Sequence, residues 1–541
     1  MRETYKLNEN IILMLRNFQK PGRSSVLSKN GMVASSHPLS SSIGLDILKK
    51  GGNAVDAAIA MALVLPLCEP QSTGYFGDIF CIISQSYDAK FIGLNGSGRS
   101  PNMTNSGILK SNGFKKIPET DISTITLPGA MKAFESLHKN YSLLDLEELC
   151  QPAIHYAKTG VVVSPRVALD WQISLNNLKG TSQKFYTKSG KSYQIGDVFL
   201  APQQAYVLEK FAKYGAKGFY EGEVAKDLIS SLNKLGGVHT FDDLRNVSCE
   251  YVDPIIIDFE KHALVELPPN GQGVTAFLIK KMLDRLNIKD IDPRSAERVH
   301  LEAEVVKIAY NIRNQYVGDP NFYDFELKHF CSDEFIERYL SQIDFNKANN
   351  EINTYWENHH KDTVYLTVID KNRQMVSLIF SIFNSFGSGY ASEKFGLLFH
   401  NRGAGFTLES GHPNELVGNK RPLHTIIPAF LKKDDEFIMP FGVMGGQYQA
   451  NGHARLVSNV IDYGMDIQTA IDFPRSFPEN GYLKLEEGYT DKIAKDLENM
   501  GNKILRPDQP VGGAQAIIYD MNNDILIGGS DPRKDGCALG Y

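Results

Sequence analysis

Few residues in this chain combine a reactive side chain with a telling neighbourhood, and the stretch HHKDTVYLTVIDKNRQMVSLIFS, residues 359–381, holds several of them. Thr363, Tyr365, Thr367 and Ile369 alternate with Val364, Leu366 and Val368. Asp370 to Arg373 supply a turn and Met375 to Ser381 a second apolar run, so the pattern predicts a β-hairpin. Thr363 follows Asp362 and heads the first strand. Its hydroxyl is either the start of a core strand or a nucleophile, and a threonine hydroxyl is a poor nucleophile without a base beside it. Thr367 shares the face of Thr363 by the two-residue period, in a packing role. His359 and His360 could suggest a metal, but adjacent residues of an extended segment face opposite ways, and no H-E-x-x-H or partner cluster lies nearby. On its own, the dipeptide Gly445-Gly446 reads as a tight turn requiring positive φ.

The signatures of other chemistries fail. There is no Walker-A loop, no G-x-G-x-x-G after a strand, and no G-x-S-x-G; GSGRS at 96–100 has the wrong spacing. No cofactor and no metal are expected. The net charge of −6, from 57 basic and 63 acidic residues, argues against nucleic-acid binding. The six cysteines form no C-x-x-C pair and read as buried reduced thiols. Arg16 interrupts the short apolar run Ile11 to Leu15, so no signal peptide is read. The longest apolar stretch, Ala57 to Leu67, is too short to span a bilayer. No membrane partner is expected, and the expected compartment is the cytoplasm.

The elements that must position these residues follow from caps and periodicity. Residues 1–30 read as a leader. HPLSSSIGLDILKKGGNAVDAAIAMALVL predicts two helices, the first capped by Ser40 to Ser42 and ended by Gly51-Gly52, the second capped by Asn53. Residues 130–245 read as mostly helical, with caps at Asp145 and Thr240. Tyr251 to Leu267 read as strands, 272–317 as helical, 363–450 as strand-rich, and 453–472 as helical again. Helix-rich and strand-rich stretches separate along the chain, which favours a layered α+β fold over repeated βαβ units.

Several blocks, in order, resemble the γ-glutamyltransferase family. They are GMVASSHPLSSSIGLDILKKGGNAVDAAIAMAL from residue 31, LPGA at 127–130, FYEGEVAKDLI at 219–229, ELPPNGQGV at 266–274, the hairpin DTVYLTVIDKNRQMVSLIFSIFNSFGSG, NKRPLHTIIPAF, FGVMGGQ and SDPRKDGCALGY. The resemblance spans about residues 31 to 541. It implies an N-terminal nucleophile hydrolase with a four-layer αββα sandwich, made as a precursor that cuts itself between Asp362 and Thr363. The products would be a large subunit of residues 31–362 behind the leader and a small subunit of 363–541, associated as one αββα domain, possibly in homo-oligomers. Cleavage would free the α-amine of Thr363, a base with a reference pKa of about 7.7–8.0. By the same resemblance, Ser381 hydrogen-bonds the nucleophile, and Gly445 and Gly446 donate N–H groups to the tetrahedral oxygen.

The substrate-gripping positions depart from the family. Its carboxylate-binding arginine aligns with Ser97, with Arg99 two residues on. Its hairpin asparagine is Phe383. Its amine-binding pair falls on Arg402 and Gly405, and its paired serines on His424 and Thr425. Losing the aspartate removes the counter-charge for an α-ammonium, and Arg402 would attract a carboxylate instead. The expectation is an amidohydrolase acting on a small amide whose acyl group bears a carboxylate (oxamate- or glutaryl-like), with Arg99, Arg402, His424 and Thr425 as substrate-binding residues. A γ-glutamyl hydrolase or transpeptidase with a rearranged pocket, and a non-catalytic member of the family, are the competing readings.

Overall fold

The computed structural model describes residues 19, 22–87, 90–259, 262–352 and 363–541. Asp362, His359 and His360 lie outside these residues, as does most of the leader.

Two seven-stranded antiparallel sheets pack face to face. In the first, the strand order is Cys537–Gly540, Met32–Ser35, Val364–Ile369, Met375–Ser381, Asp78–Ser84, Phe91–Gly96 and Glu250–Val252. The second runs Val26–Ser28, Ile525–Ser530, Gly513–Asp520, Phe437–Met444, Ala429–Lys433, His262–Glu266 and Ile255–Phe259. Val26–Ser28 thus forms an edge strand inside the region read as a leader.

The hairpin occupies the middle of the first sheet, so both its faces are covered. Val364, Leu366 and Val368 join the core beneath the helices, while Tyr365 and Ile369 join the core between the sheets. Strand alternation therefore puts Thr363 on the inter-sheet face. Ala54–Cys68 lies against the hairpin's outer face and is buried along its whole length, as a helix apolar all round must be. Gly273–Arg285, Ala296–Tyr316 and Gln449–Ile461 cover the outer side of the second sheet. The result is a four-layer αββα sandwich.

The capping expectations hold at Asn53 and Thr240, each in a reciprocal capping box with the acid three residues on, and Asp145 precedes its helix. The first helix differs. It spans Pro38–Lys49 and is capped by His37, whose ring accepts from Leu39 N, because Pro38 already sets a helical φ ahead of the serines. All six cysteines are free; Cys68, Cys81 and Cys150 are buried, and Cys249, Cys331 and Cys537 partly so. Among the described residues no helix is long and apolar enough to cross a membrane, and no side-chain cluster could hold a metal ion.

Candidate active site

Thr363 stands at the head of Val364–Ile369, fully buried, with its Oγ1 donating to Ser381 Oγ at 3.4 Å. Ser381 ends the partner strand and also accepts from Phe383 N at 2.9 Å. Phe383 has φ of +79°, a conformation that a bulky side chain adopts only under constraint from its surroundings. Asparagine, which the resemblance implies at this position, tolerates that backbone far better.

The second sheet brings the glycine pair to the same end of the sandwich. Phe437–Met444 packs against the hairpin, and the Tyr365 ring lies over Gly442, where a Cβ would come within 2.3 Å of it. Just past that strand Gly445 and Gly446 have φ of +119° and +58°. A Cβ on Gly445 would meet the backbone of Gly512 at 2.7 Å, so glycine is required twice over. Gly445 O accepts from Tyr448 N at 3.1 Å. Gln272 Nε2 reaches both Thr425 O at 2.6 Å and Gly446 O at 3.4 Å, tying the turn to the TIIP segment.

Beside this group lies a cavity of about 400 Å³ whose wall includes Phe383, Gly405, Thr425, Gln447 and Arg313. Of the residues matched to substrate binding, Phe383, Gly405 and Thr425 reach it. Arg402 does not line it. It is fully buried behind Phe383, its guanidinium 4.4 Å from the ring centre, with Nη1 donating to Thr425 Oγ1 at 3.2 Å and Nε 3.5 Å from Asp78 Oδ2. Burial pulls its pKa down to about 9, which still leaves it protonated at neutral pH.

Asp78 was not singled out in the sequence, and it organises this region. It heads the next strand, directly opposite Ser381. Its Oδ1 accepts from Gly98 N at 2.8 Å; its Oδ2 lies 3.2 Å from His424 Nε2 and 3.4 Å from His400 Nδ1. Burial raises its pKa, but the His400 and His424 rings overcome that and hold the carboxyl well below the usual range. His424, lowered to about 3 chiefly by burial and then by Arg402, is a neutral ring bound to Asp78. Its place is in the floor of the sandwich, because its strongest partner is inside.

Arg99 is also engaged elsewhere. Its Nη1 bonds Asp319 and its Nη2 bonds Glu250, both at 3.0 Å, and it lines a separate cavity with Thr240, Asp243 and Asn419. Two carboxylates already satisfy its fork. Ser97 belongs to a buried network, its Oγ donating to Asn95 Oδ1 at 2.7 Å and accepting from Asn270. Thr367 Oγ1 bonds Val376 O at 2.9 Å within the sheet. A lone acid heading the strand DIFCIIS, ahead of five apolar residues, was the available signal for Asp78. Arg313, in the last turn of its helix, had none.

Two sheets between helical layers, with a threonine at the head of a central strand, make the fold that of an N-terminal nucleophile hydrolase. The chain belongs to the gamma-glutamyltranspeptidase family, whose sequence profile matches residues 40–541. It is 32% identical over 527 residues to the glutathione hydrolase-like YwrD proenzyme of Bacillus subtilis, covering 95% of this chain and 99% of that protein. It is 29% identical to the oxamate amidohydrolase proenzyme of Klebsiella pneumoniae, covering 96% and 100%. The crystal structure of a cephalosporin acylase from Bacillus halodurans superposes with a TM-score of 0.87 at 34% identity, covering 98% and 99%. The protein is therefore an enzyme of the N-terminal nucleophile hydrolase type.

Proposed function

We propose that this protein is an autoprocessing threonine amidohydrolase that cleaves a small amide whose acyl group carries a carboxylate. The observation that carries the reading is the buried hydrogen bond from Thr363 Oγ1 to Ser381 Oγ at the head of a central strand. The proenzyme relatives described above support a self-cutting precursor.

In the first reaction Thr363 Oγ1 attacks the Asp362 carbonyl carbon. The C–N bond breaks as the acyl group moves from nitrogen to oxygen, and water hydrolyses the ester to a carboxylate at Asp362 and a free α-amine at Thr363. An amide nitrogen is not basic, so cleavage itself creates the general base. The subunits are then residues up to 362 and residues 363–541, held together as one sandwich. In turnover, the α-amine accepts the Thr363 hydroxyl proton as Oγ1 attacks the substrate carbonyl. The N–H groups of Gly445 and Gly446 stabilise the oxyanion, the amine departs with the proton, and water releases the acid. Each oxyanion donor is worth about 3–4 kcal/mol of barrier.

The cavity argues against an α-ammonium on the acyl group. Gly405 offers no counter-charge, and among the described residues the one acid on the wall, Glu409, sits on the exposed rim. Arg402 acts here as support for Phe383 and Thr425 rather than as a clamp, and Arg99 and His424 drop out of substrate binding.

The test is a denaturing gel with mass spectrometry, followed by an amide panel of oxamate, a glutaryl amide, a γ-glutamyl anilide and glutathione. Two fragments meeting at Asp362-Thr363, lost together with activity in Thr363→Ala, are expected. Retained cleavage in that variant would place the scissile bond elsewhere. Efficient turnover of glutathione would overturn the acyl assignment.

A further inference from the structure

A groove of about 250 Å³ lies outside the catalytic cavity and shares no lining residue with it. The helix Ser106–Ser111 supplies Ile108 and Leu109 to its wall, the short turn Ile122–Thr124 and its flank supply Ile122 and Ile125, and the loop 235–240 supplies Val238 and His239. The groove and the catalytic cavity stand back to back. Leu109 and Leu416 of the groove form one apolar cluster with Phe406, which lines the catalytic cavity. Behind Ile122 and Ile125, the Thr124 carbonyl oxygen lies 2.7 Å from where a Cβ on Gly403 would stand.

The rim of the groove is apolar. Met103 is 65% exposed and Ile108 54% exposed, and Phe114 and Val238 also reach the surface. Large apolar side chains gathered in water around one concavity mark a ligand site. His239, by contrast, is only 3% exposed. Its Nε2 lies 2.8 Å from Ile125 O, and a carbonyl can only accept, so Nε2 carries the proton. Burial lowers the ring's pKa to about 4, so at neutral pH Nδ1 holds a lone pair. That nitrogen has no hydrogen-bond partner among the described residues. It stands beside Gly237, another residue of the groove wall, where a Cβ would come within 2.9 Å of it. A buried acceptor without a donor is costly, and a ligand that supplies the donor recovers that cost.

We propose that this groove is a binding site, separate from the catalytic cavity, for a small aromatic molecule that carries one N–H or O–H donor. The apolar rim takes the ring, and His239 Nδ1 accepts the hydrogen bond. The size fits one ring system, since a cavity of about 150 Å³ already accepts benzene. A stable protein contact would need a total buried area on the order of 1,200 Å² or more, so a small molecule is the favoured occupant. The site needs neither self-cleavage nor turnover, and it stands apart from the reading of Thr363.

The experiment compares indole with benzofuran, which keeps the bicyclic shape and replaces the N–H with an oxygen. Binding to the full chain is measured by calorimetry up to the solubility limit of each compound. Indole should bind at least about tenfold more tightly than benzofuran. His239→Phe keeps a ring in place but removes the acceptor, and it should erase that preference. Ile108→Asp changes a surface residue of the rim and leaves His239 intact. It should weaken both compounds by about threefold or more while the preference persists. Thr363→Ala should leave both affinities unchanged. No binding of indole, or indole and benzofuran bound equally by the wild-type chain, overturns the proposal. So does a preference that survives His239→Phe, or affinities untouched by Ile108→Asp, either of which would place the ligand elsewhere.

Discussion

Replacing Asp78 with Asn tests whether a buried charge cluster supports the candidate site. Asp78 is fully buried and its Oδ2 lies 3.5 Å from Arg402 Nε, with the neutral ring of His424 on its other side. The Asn variant keeps the size of the side chain but leaves the Arg402 charge uncompensated against Phe383. With an effective dielectric of about 20, a unit pair at this separation interacts by about 5 kcal/mol. Removing one partner of a buried pair typically costs about 3–5 kcal/mol, because the other charge stays desolvated. The assay is urea unfolding followed by circular dichroism, in the Thr363→Ala background so that a single chain unfolds. Asp78→Asn, Arg402→Met and the double variant are compared. The double should be more stable than the sum of the singles predicts by about 2 kcal/mol or more, since it removes the orphaned charge. A loss under about 1 kcal/mol for Asp78→Asn, or strict additivity, would refute the argument. The pH dependence has a definite sign. Because the folded carboxyl is held below its unfolded value of about 3.9, its contribution is complete above that value and is lost as the pH falls below it.

Three further outcomes follow from the same geometry. Gly445→Ala should lower kcat by about 100-fold or more with a small change in KM, since its Cβ would strike Gly512 and displace an oxyanion donor; steady-state kinetics at an unchanged KM and a tenfold or smaller loss would count against that role. Thermal stability should rise between about pH 4 and pH 6.5, because His37, His239, His262 and His424 are lowered by burial to about 4, 4, 3 and 3 and the unfolded chain binds the extra protons. Glu69, raised by burial to about 7, opposes the trend, so the rise should be steeper in Glu69→Gln, and a melting temperature flat over this range in wild type would refute the histidine argument. Phe383→Gly should relieve the positive φ yet lose the ring stacked on Arg402; kinetics with a bulkier acyl amide should show a gain relative to a small one, and an unchanged ratio would remove Phe383 from the acyl wall.

By itself the sequence determined the parts governed by local rules and ordered patterns. Alternation announced the hairpin, Asn53 and Thr240 announced their helices, and the succession of blocks identified the family and its layered fold. It also pointed to the threonine at the strand head and the glycine turn, because a hydroxyl at a strand start and a Gly-Gly are visible as residue types. It could not show what the charges meet. Arg99, Arg402 and His424 read as substrate clamps because their positive or polar groups are evident, while the carboxylates that claim them come from distant parts of the chain. Asp319 and Glu250 take Arg99, and Asp78 takes both Arg402 and His424. Arg313 shows the converse. Nothing in AERVHLEAEVVKIAYNIRNQY marks it, and only the meeting of its helix with Gln272 and Gln447 turns it into a cation on a cavity wall. Whether a charge serves substrate or scaffold depends on which partner reaches it first in a medium of low dielectric, and that is decided by tertiary packing alone.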